Sequence, residues 1–158
     1  LKKATYGGEA LMREYLTLLV DSDEYMDNAP PGFLVNPLTR ERLHFDRYYP
    51  PAVAWEFNGP QHYGATDQFT QEDADQQRAW DYIKLGICVT RGIKLVVIHA
   101  DDLTLETMQE KIGELLPLRD LTGRERLVRF LEYRSQLYRW GARRADRTFH
   151  GNVKETPG

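Results

Sequence analysis

The sequence predicts a mixed α/β fold in which helices flank a mixed β-sheet. Amphipathic segments alternate with short runs of β-branched and aromatic residues, in the predicted order α, β, β, α, β, α, α. The 158 residues are enough for one domain with a sizeable core. No apolar run approaches the roughly 20 residues that a membrane span needs, so no membrane association is expected.

The first half of the chain begins with a predicted helix over 9–20, entered through Gly7 and Gly8. Its apolar residues recur at helical spacing: Leu11, Tyr15, Leu18 and Leu19. The polar, proline-rich segment 21–42 is predicted to be a loop with a short strand at 33–35. The runs RLHFDRYYP and PAVAWEFNG then predict two adjacent strands joined by a tight turn.

The second half of the chain is predicted to be mainly helical. QEDADQQRAWDYIKLGIC predicts a helix whose acidic start suits a helix N-terminus, and KLVVIHA predicts a buried strand. LTLETMQEKIGELLP predicts a third helix, capped by Asp102 or Thr104 and stopped by Pro117, and a fourth helix follows over 124–140. The predicted divisions are a core, a basic helical extension of the same domain and a disordered tail, at residues 1–118, 119–147 and 148–158.

Charge is concentrated towards the C-terminus. The chain has a net charge of −3, but 119–147 holds nine arginines against four acidic residues, which leaves the rest near −8. Arginines interleaved with aromatic residues favour a nucleic-acid surface, with contacts from Arg126, Arg129 and Arg134. The alternative is an amphipathic helix that packs its aromatic residues on the core and exposes its arginines.

The cysteine content and the N-terminal sequence predict a cellular compartment. The single cysteine, Cys88, excludes an internal disulfide and a multi-cysteine zinc site. The N-terminal sequence LKKATYGGEAL lacks the apolar region of a secretory signal, so we expect a cytoplasmic protein. It also starts without methionine, so we expect a trimmed chain or one domain of a larger parent protein.

Polar residues gather where the second predicted strand ends. Side-chain alternation allows Asp46 and Glu56 of neighbouring strands to meet on one sheet face. Two half-buried carboxylates repel each other, and a hard cation such as Mg²⁺, or Mn²⁺ in its place, would relieve that repulsion. His62 lies close enough to reach a metal-bound water, and Asp81 and Lys84 share one face of the second helix. Singly, each residue also fits a structural role, as an edge charge, a turn residue or a surface pair.

The ordered pattern FDRYYP, AWEFNGPQHY, D..K...C and GIKLVVI resembles the PD-(D/E)xK nuclease superfamily. The resemblance is to the branch of very-short-patch repair endonucleases and EDxHD homing endonucleases. It covers about residues 8–100 and depends on five short features in the same order. It implies a restriction-endonuclease-like fold and a metal-dependent endonuclease that nicks DNA or cleaves both strands.

The same resemblance assigns roles to particular residues. The implied catalytic set is Glu9, Asp46, Glu56, His62 and Asp81, with Glu14 as the alternative to Glu9. It implies that Asp46 and Glu56 hold Mg²⁺ together with the backbone carbonyl of Phe57. His62 is then the expected general base, because its ordinary pKa lies near ~6.5.

One position departs from the family pattern. Asn58 stands where many superfamily members have a lysine and where the nearer relatives have an aspartate. The proton chemistry then falls to His62 or to Lys84, or is absent. Phosphate contacts are expected from Arg78 and Lys84 as well as from the C-terminal helix. The alternatives are an inactive nuclease-like module that binds DNA or a partner protein within a larger assembly, and a structural interaction domain. The expected partners of the chain itself are DNA and either a second copy, in a homodimer, or the rest of a larger multidomain protein.

Overall fold

The computed structural model describes residues 2–59 and 70–154, with side chains over 7–59 and 70–144. Its elements in chain order are α1 (Lys2–Leu19), β1 (Met26–Ala29), β2 (Phe45–Tyr49), β3 (Val53–Asn58), α2 (Gln71–Arg91), β4 (Lys94–His99), α3 (Leu105–Ile112) and α4 (Glu125–Lys154). A 3₁₀ turn, Ala100–Asp102, joins β4 to α3. The predicted mixed α/β class is confirmed.

The strands form a mixed sheet in the order β1-β2-β3-β4. β1 with β2 and β2 with β3 are antiparallel, whereas β3 and β4 are parallel. The two predicted adjacent strands are therefore neighbours, with Arg47 opposite Trp55. Because β3 and β4 run in the same direction, their carboxyl ends at Asn58 and His99 lie at one edge of the sheet.

Helices cover both faces of this sheet, as predicted. α1, α3 and α4 pack on one face around Trp55 and Phe57, and α2 packs on the other face against Phe45 and Ala54. Among the described residues, no helix combines the length and the apolar character that crossing a membrane requires. The sheet therefore has three helices on one face and one helix on the other.

The start of α2 is fixed by its capping residues. The Thr70 hydroxyl accepts a hydrogen bond from Asp73 N at 3.1 Å, and the Asp73 carboxylate accepts one from Thr70 N at 3.2 Å. Two backbone donors of the first turn are therefore satisfied by side chains. The helix ends at Gly92, whose φ of 70° suits glycine, so both ends of α2 are locally encoded.

The segment 21–42 is not wholly a loop, because β1 lies within it. Only Ala29 of this strand is buried. The strand therefore lacks the apolar alternation that would have predicted it. The strand predicted at 33–35 is reduced to an isolated bridge between Val35 and Arg42.

α1 is longer than predicted, since it contains Gly7 and Gly8 instead of starting after them. Gly8 lets the helix approach the sheet closely. A Cβ at that position would collide with the ring of Phe57 and the hydroxyl of Tyr138. The close approach places Glu9, the next residue, beside the ends of the central strands.

The last two helices also differ from their predicted bounds. The Thr104 hydroxyl caps α3 by accepting from Thr107 N at 3.1 Å, which settles the choice between Asp102 and Thr104. α3 ends at Gly113, whose positive φ of 46° breaks the helix before Pro117. α4 continues to Lys154, beyond its predicted end at 140 and into the segment 148–158 that was expected to be a disordered tail.

Candidate active site

Two acidic side chains meet on the sheet where β2 begins and β3 ends. The pairing of β2 with β3 ends at Arg47 opposite Trp55. Asp46, the residue before Arg47, has its side chain within hydrogen-bonding range of the Glu56 carboxyl group. Asp46 is held in place because its Oδ2 accepts a hydrogen bond from Phe57 N at 2.7 Å. Phe57 therefore contacts Asp46 through its backbone N–H. Its backbone carbonyl is the group that was expected to bind the metal.

Glu56 is half-buried, and its pKa is unusually high for a carboxyl group. Burial, and next the adjacent charge of Asp46, raise its pKa from 4.5 to about 8, against the opposing effect of Lys84. The shift means that the fold destabilises the ionised form of this carboxyl group. A further positive charge near Glu56 would stabilise that form, and shifts of this kind are common at binding and catalytic positions.

Glu9 is the third acidic side chain of the group. It lies on α1 with its carboxyl group against Asp46, and burial together with Asp46 raises its pKa to about 7. Arg13, one turn further along α1, lies 3.5 Å from Glu9 and donates hydrogen bonds to the Asp46 backbone carbonyl at 3.1 and 3.3 Å. Glu14 instead forms an exposed ion pair with Arg134 at 2.7 Å. Of the two candidate acids on α1, the structure brings Glu9 to Asp46.

Lys84 reaches the acidic pair from α2. Its Nζ donates to Glu56 Oε1 at 2.6 Å, and both side chains are only 14% exposed. From the sequence, Lys84 is expected to share a helix face with Asp81 and to contact phosphate or transfer a proton. The direct bond to Glu56 could not be predicted, because it depends on how α2 crosses the sheet.

The remaining predicted residues of α2 lie outside this contact. Asp81 is exposed and accepts a hydrogen bond from Gln77 at 3.2 Å, and Arg78 pairs with Asp75 on the helix surface. Both residues line a cavity of about 240 Å³ that also contains Glu56 and Lys84. His62 lies outside the described residues, so its predicted role stays a prediction.

The donors of this group have the chemistry that Mg²⁺ requires, since they are hard carboxylate oxygens. Within the part of the chain that the structure describes, no three Asp, Glu, His or Cys side chains are gathered closely enough to hold a metal ion unaided. Mg²⁺ commonly takes one or two carboxylates and completes its shell with waters and phosphate oxygens. Asp46 and Glu56 fit that smaller requirement, with Glu9 adjacent to Asp46.

The basic helix α4 packs on the face of the sheet opposite to α2. Glu132 Oε1 accepts hydrogen bonds from Tyr15 and from Leu105 N, each at 2.6 Å, which fixes the helix to α1 and α3. Arg126 and Arg129 are exposed. The aromatic residues divide between two sides, because Tyr138 packs on Phe57 with ring centroids 6.4 Å apart while others face solvent. Over residues 125–144 of α4, the large exposed apolar side chains are Leu127, Phe130, Tyr133, Leu137 and Trp140.

The exposed side of α4 bears on the two sequence interpretations of this helix. Phe130 and Tyr133 are 62% and 61% exposed, so they do not pack on the core as the amphipathic interpretation expected. Tyr138 and Leu131 do pack inwards, as that interpretation requires. The helix is therefore amphipathic and also presents an apolar, basic outer surface.

Sequence comparison gives a partial match. The chain is 36% identical over 73 residues to the uncharacterized protein 033L of Invertebrate iridescent virus 3. The match covers 44% of this chain and 38% of the viral protein, so the chain spans well under two thirds of that relative. No family model matches the sequence, and no solved structure matches it.

Proposed function

We propose that this protein is a metal-dependent endodeoxyribonuclease of restriction-endonuclease-like fold. The observation that carries the proposal is the 2.6 Å contact of Lys84 with Glu56, beside Asp46. In the superfamily that the sequence resembles, many members have a lysine two residues after the glutamate, where this chain has Asn58. Lys84, on α2, brings a positive charge to Glu56. Two acids and a lysine therefore lie together, although the lysine comes from a different position in the sequence.

In the proposed reaction Asp46 and Glu56 hold Mg²⁺ or Mn²⁺. The bound ion would polarise the scissile phosphate and lower the pKa of a bound water. Glu56 has to be ionised for this role, and its neighbours resist ionisation until positive charge is supplied. Lys84 is the nearest cation to Glu56 and can donate to a phosphate oxygen, while Glu9 keeps Asp46 in place.

Cleavage assays test the proposal directly. The protein is incubated with single-stranded, nicked, branched and duplex DNA, each with Mg²⁺, Mn²⁺ or EDTA. Cleavage is expected with either divalent ion and none with EDTA. Asp46→Asn and Glu56→Gln should each lower the rate by about 10³-fold or more, since both remove a charged ligand oxygen. Glu14→Gln is the matched control, because it changes an exposed acid of α1 and should leave the rate unchanged. Wild-type cleavage by Asp46→Asn would refute the proposal.

The general base is assigned by a second comparison. His62→Ala should lower the cleavage rate by about 10²–10⁴-fold and remove the loss of activity below about pH 6.5. If Lys84→Ala has this effect and His62→Ala cleaves at the wild-type rate, the proton transfer belongs to the lysine. Circular dichroism of both variants separates loss of chemistry from loss of folding.

The second candidate is a catalytically inactive nuclease-like module that binds DNA or protein. Asn58 favours it, because it stands where the family pattern has a lysine or an aspartate. Under this hypothesis a gel shift with duplex DNA is retained in EDTA, and neither Mg²⁺ nor Mn²⁺ produces cleavage. Cleavage by the wild type that Glu56→Gln abolishes would exclude it.

A further inference from the structure

We propose that the cavity between α2 and strands β3 and β4 binds one nucleobase of an unpaired strand, next to the acidic pair. The inference deepens the proposed function, on which it depends for the phosphate that lies beside the base. The cavity has a volume of about 240 Å³. Pockets for drug-sized ligands usually measure about 300–1,000 Å³, so this one suits a single ring system.

The lining has the two kinds of surface that a base presents. Leu85, Leu95 and Val97 form an apolar wall, and the ring of Tyr82 lies at the same cavity with 75% of the residue exposed. Apolar and aromatic side chains of this kind receive the flat faces of bases and are tolerant of base identity. A phosphate group or a metal ion alone would make no favourable contact with this apolar wall.

The polar groups of the cavity suit the edge of a base. Asn58 offers an amide donor and an amide acceptor, and Asp81 offers carboxylate oxygens. Exposed base edges in unpaired strands are recognised through hydrogen bonds of this type. The combination of an apolar wall with a donor and acceptor rim therefore fits a base better than it fits an apolar peptide side chain.

The position of the cavity links base binding to the candidate chemistry. Glu56 and Lys84 line the same cavity as Tyr82 and Val97. A phosphate that contacts Lys84 would therefore have a neighbouring base within reach of the apolar wall. A base inside a continuous duplex is stacked on both sides and cannot enter without leaving the stack. The preferred substrate class is thus an unpaired or distorted strand.

A binding comparison tests this with strands of equal charge. Equilibrium binding is measured for oligothymidylate and for an abasic strand of the same length, with Ca²⁺ in place of Mg²⁺ to prevent turnover. The wild type should prefer oligothymidylate by about tenfold or more, because base stacking adds to the phosphate contacts. Val97→Phe should fill the cavity and abolish the preference, and Tyr82→Ala should reduce it without touching the wall.

The matched control is Val89→Phe, which adds the same ring to α2 at a residue that is 71% exposed and does not line the cavity. It should keep the wild-type preference. Equal binding of both strands by the wild type, or an unchanged preference in both Val97→Phe and Tyr82→Ala, overturns the base site. If the preference is present and no DNA is cleaved with Mg²⁺ or Mn²⁺, the nuclease proposal fails while the base site stands. If DNA is cleaved but the wild type shows no preference for oligothymidylate over the abasic strand, the base site is overturned while the nuclease proposal stands.

Discussion

Arg47 and Glu56 are charged residues in neighbouring strands, and the fold treats them in opposite ways. Arg47 is 2% exposed and donates to both Asp27 oxygens, at 2.6 and 3.0 Å. It also donates to the Thr17 hydroxyl at 2.8 Å and stacks on Tyr25 at 3.8 Å from the ring centroid. Glu56 has a strong contact with Lys84 and a repulsive neighbour in Asp46.

The comparison separates a charge that the fold neutralises fully from one that it does not. Burial alone would lower the pKa of Arg47, but hydrogen bonds to Asp27 and Tyr49 outweigh that effect and raise it. At Glu56 burial and Asp46 outweigh Lys84, and the shift disfavours the charged form. Arg47 therefore serves the structure, whereas Lys84 compensates the ionised form of Glu56 only in part.

The largest expected effect is on stability and follows from Arg47→Met. The change leaves the Asp27 carboxylate without its main partner and removes hydrogen bonds to Thr17 and to the Arg13 carbonyl. We expect the free energy of unfolding in urea to fall by about 3 kcal/mol, the lower end for breaking a buried pair, since Asp27 keeps access to water. Arg124→Met, at an exposed position, is the control. A loss below about 1 kcal/mol would contradict the structural role of Arg47.

The next effect concerns the pH dependence of stability, measured in EDTA. Because the pKa of Glu56 is about 8 in the folded chain and 4.5 as a model value, the native state keeps a proton that the unfolded state loses. The stabilising effect of this proton is present below pH 4.5 and is lost as the pH rises to about 8. Glu56→Gln should therefore flatten the decline between pH 6 and 8 by about 2 kcal/mol. Parallel curves for both proteins would show that the pKa of Glu56 is not raised.

A smaller change of opposite sign is expected for Lys84→Met. The charge of Lys84 lowers the pKa of Glu56, so its removal should raise that pKa further. The decline of stability with pH should then extend above pH 8 and steepen by about 1 kcal/mol. Thermal unfolding at pH 6 and pH 9 measures it, and Lys111→Met on α3 supplies a control at a lysine of a different helix. A flatter profile in Lys84→Met would mean that Lys84 does not act on Glu56.

The smallest effect on stability is expected from the exposed cations of α4. Changing Arg126, Arg129 and Arg134 together to Ala should alter the free energy of unfolding by less than about 1 kcal/mol, since the Arg134–Glu14 pair is exposed. DNA binding should weaken, and the slope of log affinity against log salt should fall by about one unit for each lost phosphate contact. An unchanged slope would mean that these arginines do not contact DNA.

Local patterns in the sequence were enough to predict the strands β2 and β3 and the meeting of Asp46 with Glu56. Alternation and adjacency are short-range properties, and the two strands are separated by a turn of a few residues. β1 escaped prediction because its stability comes from pairing with β2 and not from apolar alternation. α4 extends beyond the predicted end at Trp140, because Gly141 and the polar residues after it break the apolar periodicity from which a helix is predicted.

The contacts that complete the candidate site are long-range, and so the sequence could not predict them. Lys84 and Glu56 are 28 residues apart, and Arg13 and the Asp46 carbonyl are 33 apart. Arg47 carried a usable signal, since it alternates with Tyr49 and lies opposite Trp55, so it should face the core. An arginine at an inward-facing strand position predicts a buried acidic partner, and Asp27 is that partner.

Gly8 has a consequence for any mutational screen of this protein. Every other residue at this position would push α1 away from the ring of Phe57, and Glu9 would move with it away from Asp46. A screen for function should therefore score Gly8 among the most sensitive positions of the chain, although it contributes no chemical group to the site. Substitutions at Gly8 would be harmful because they increase the distance between α1 and β3. In such a data set the result would be easily mistaken for evidence of a catalytic role.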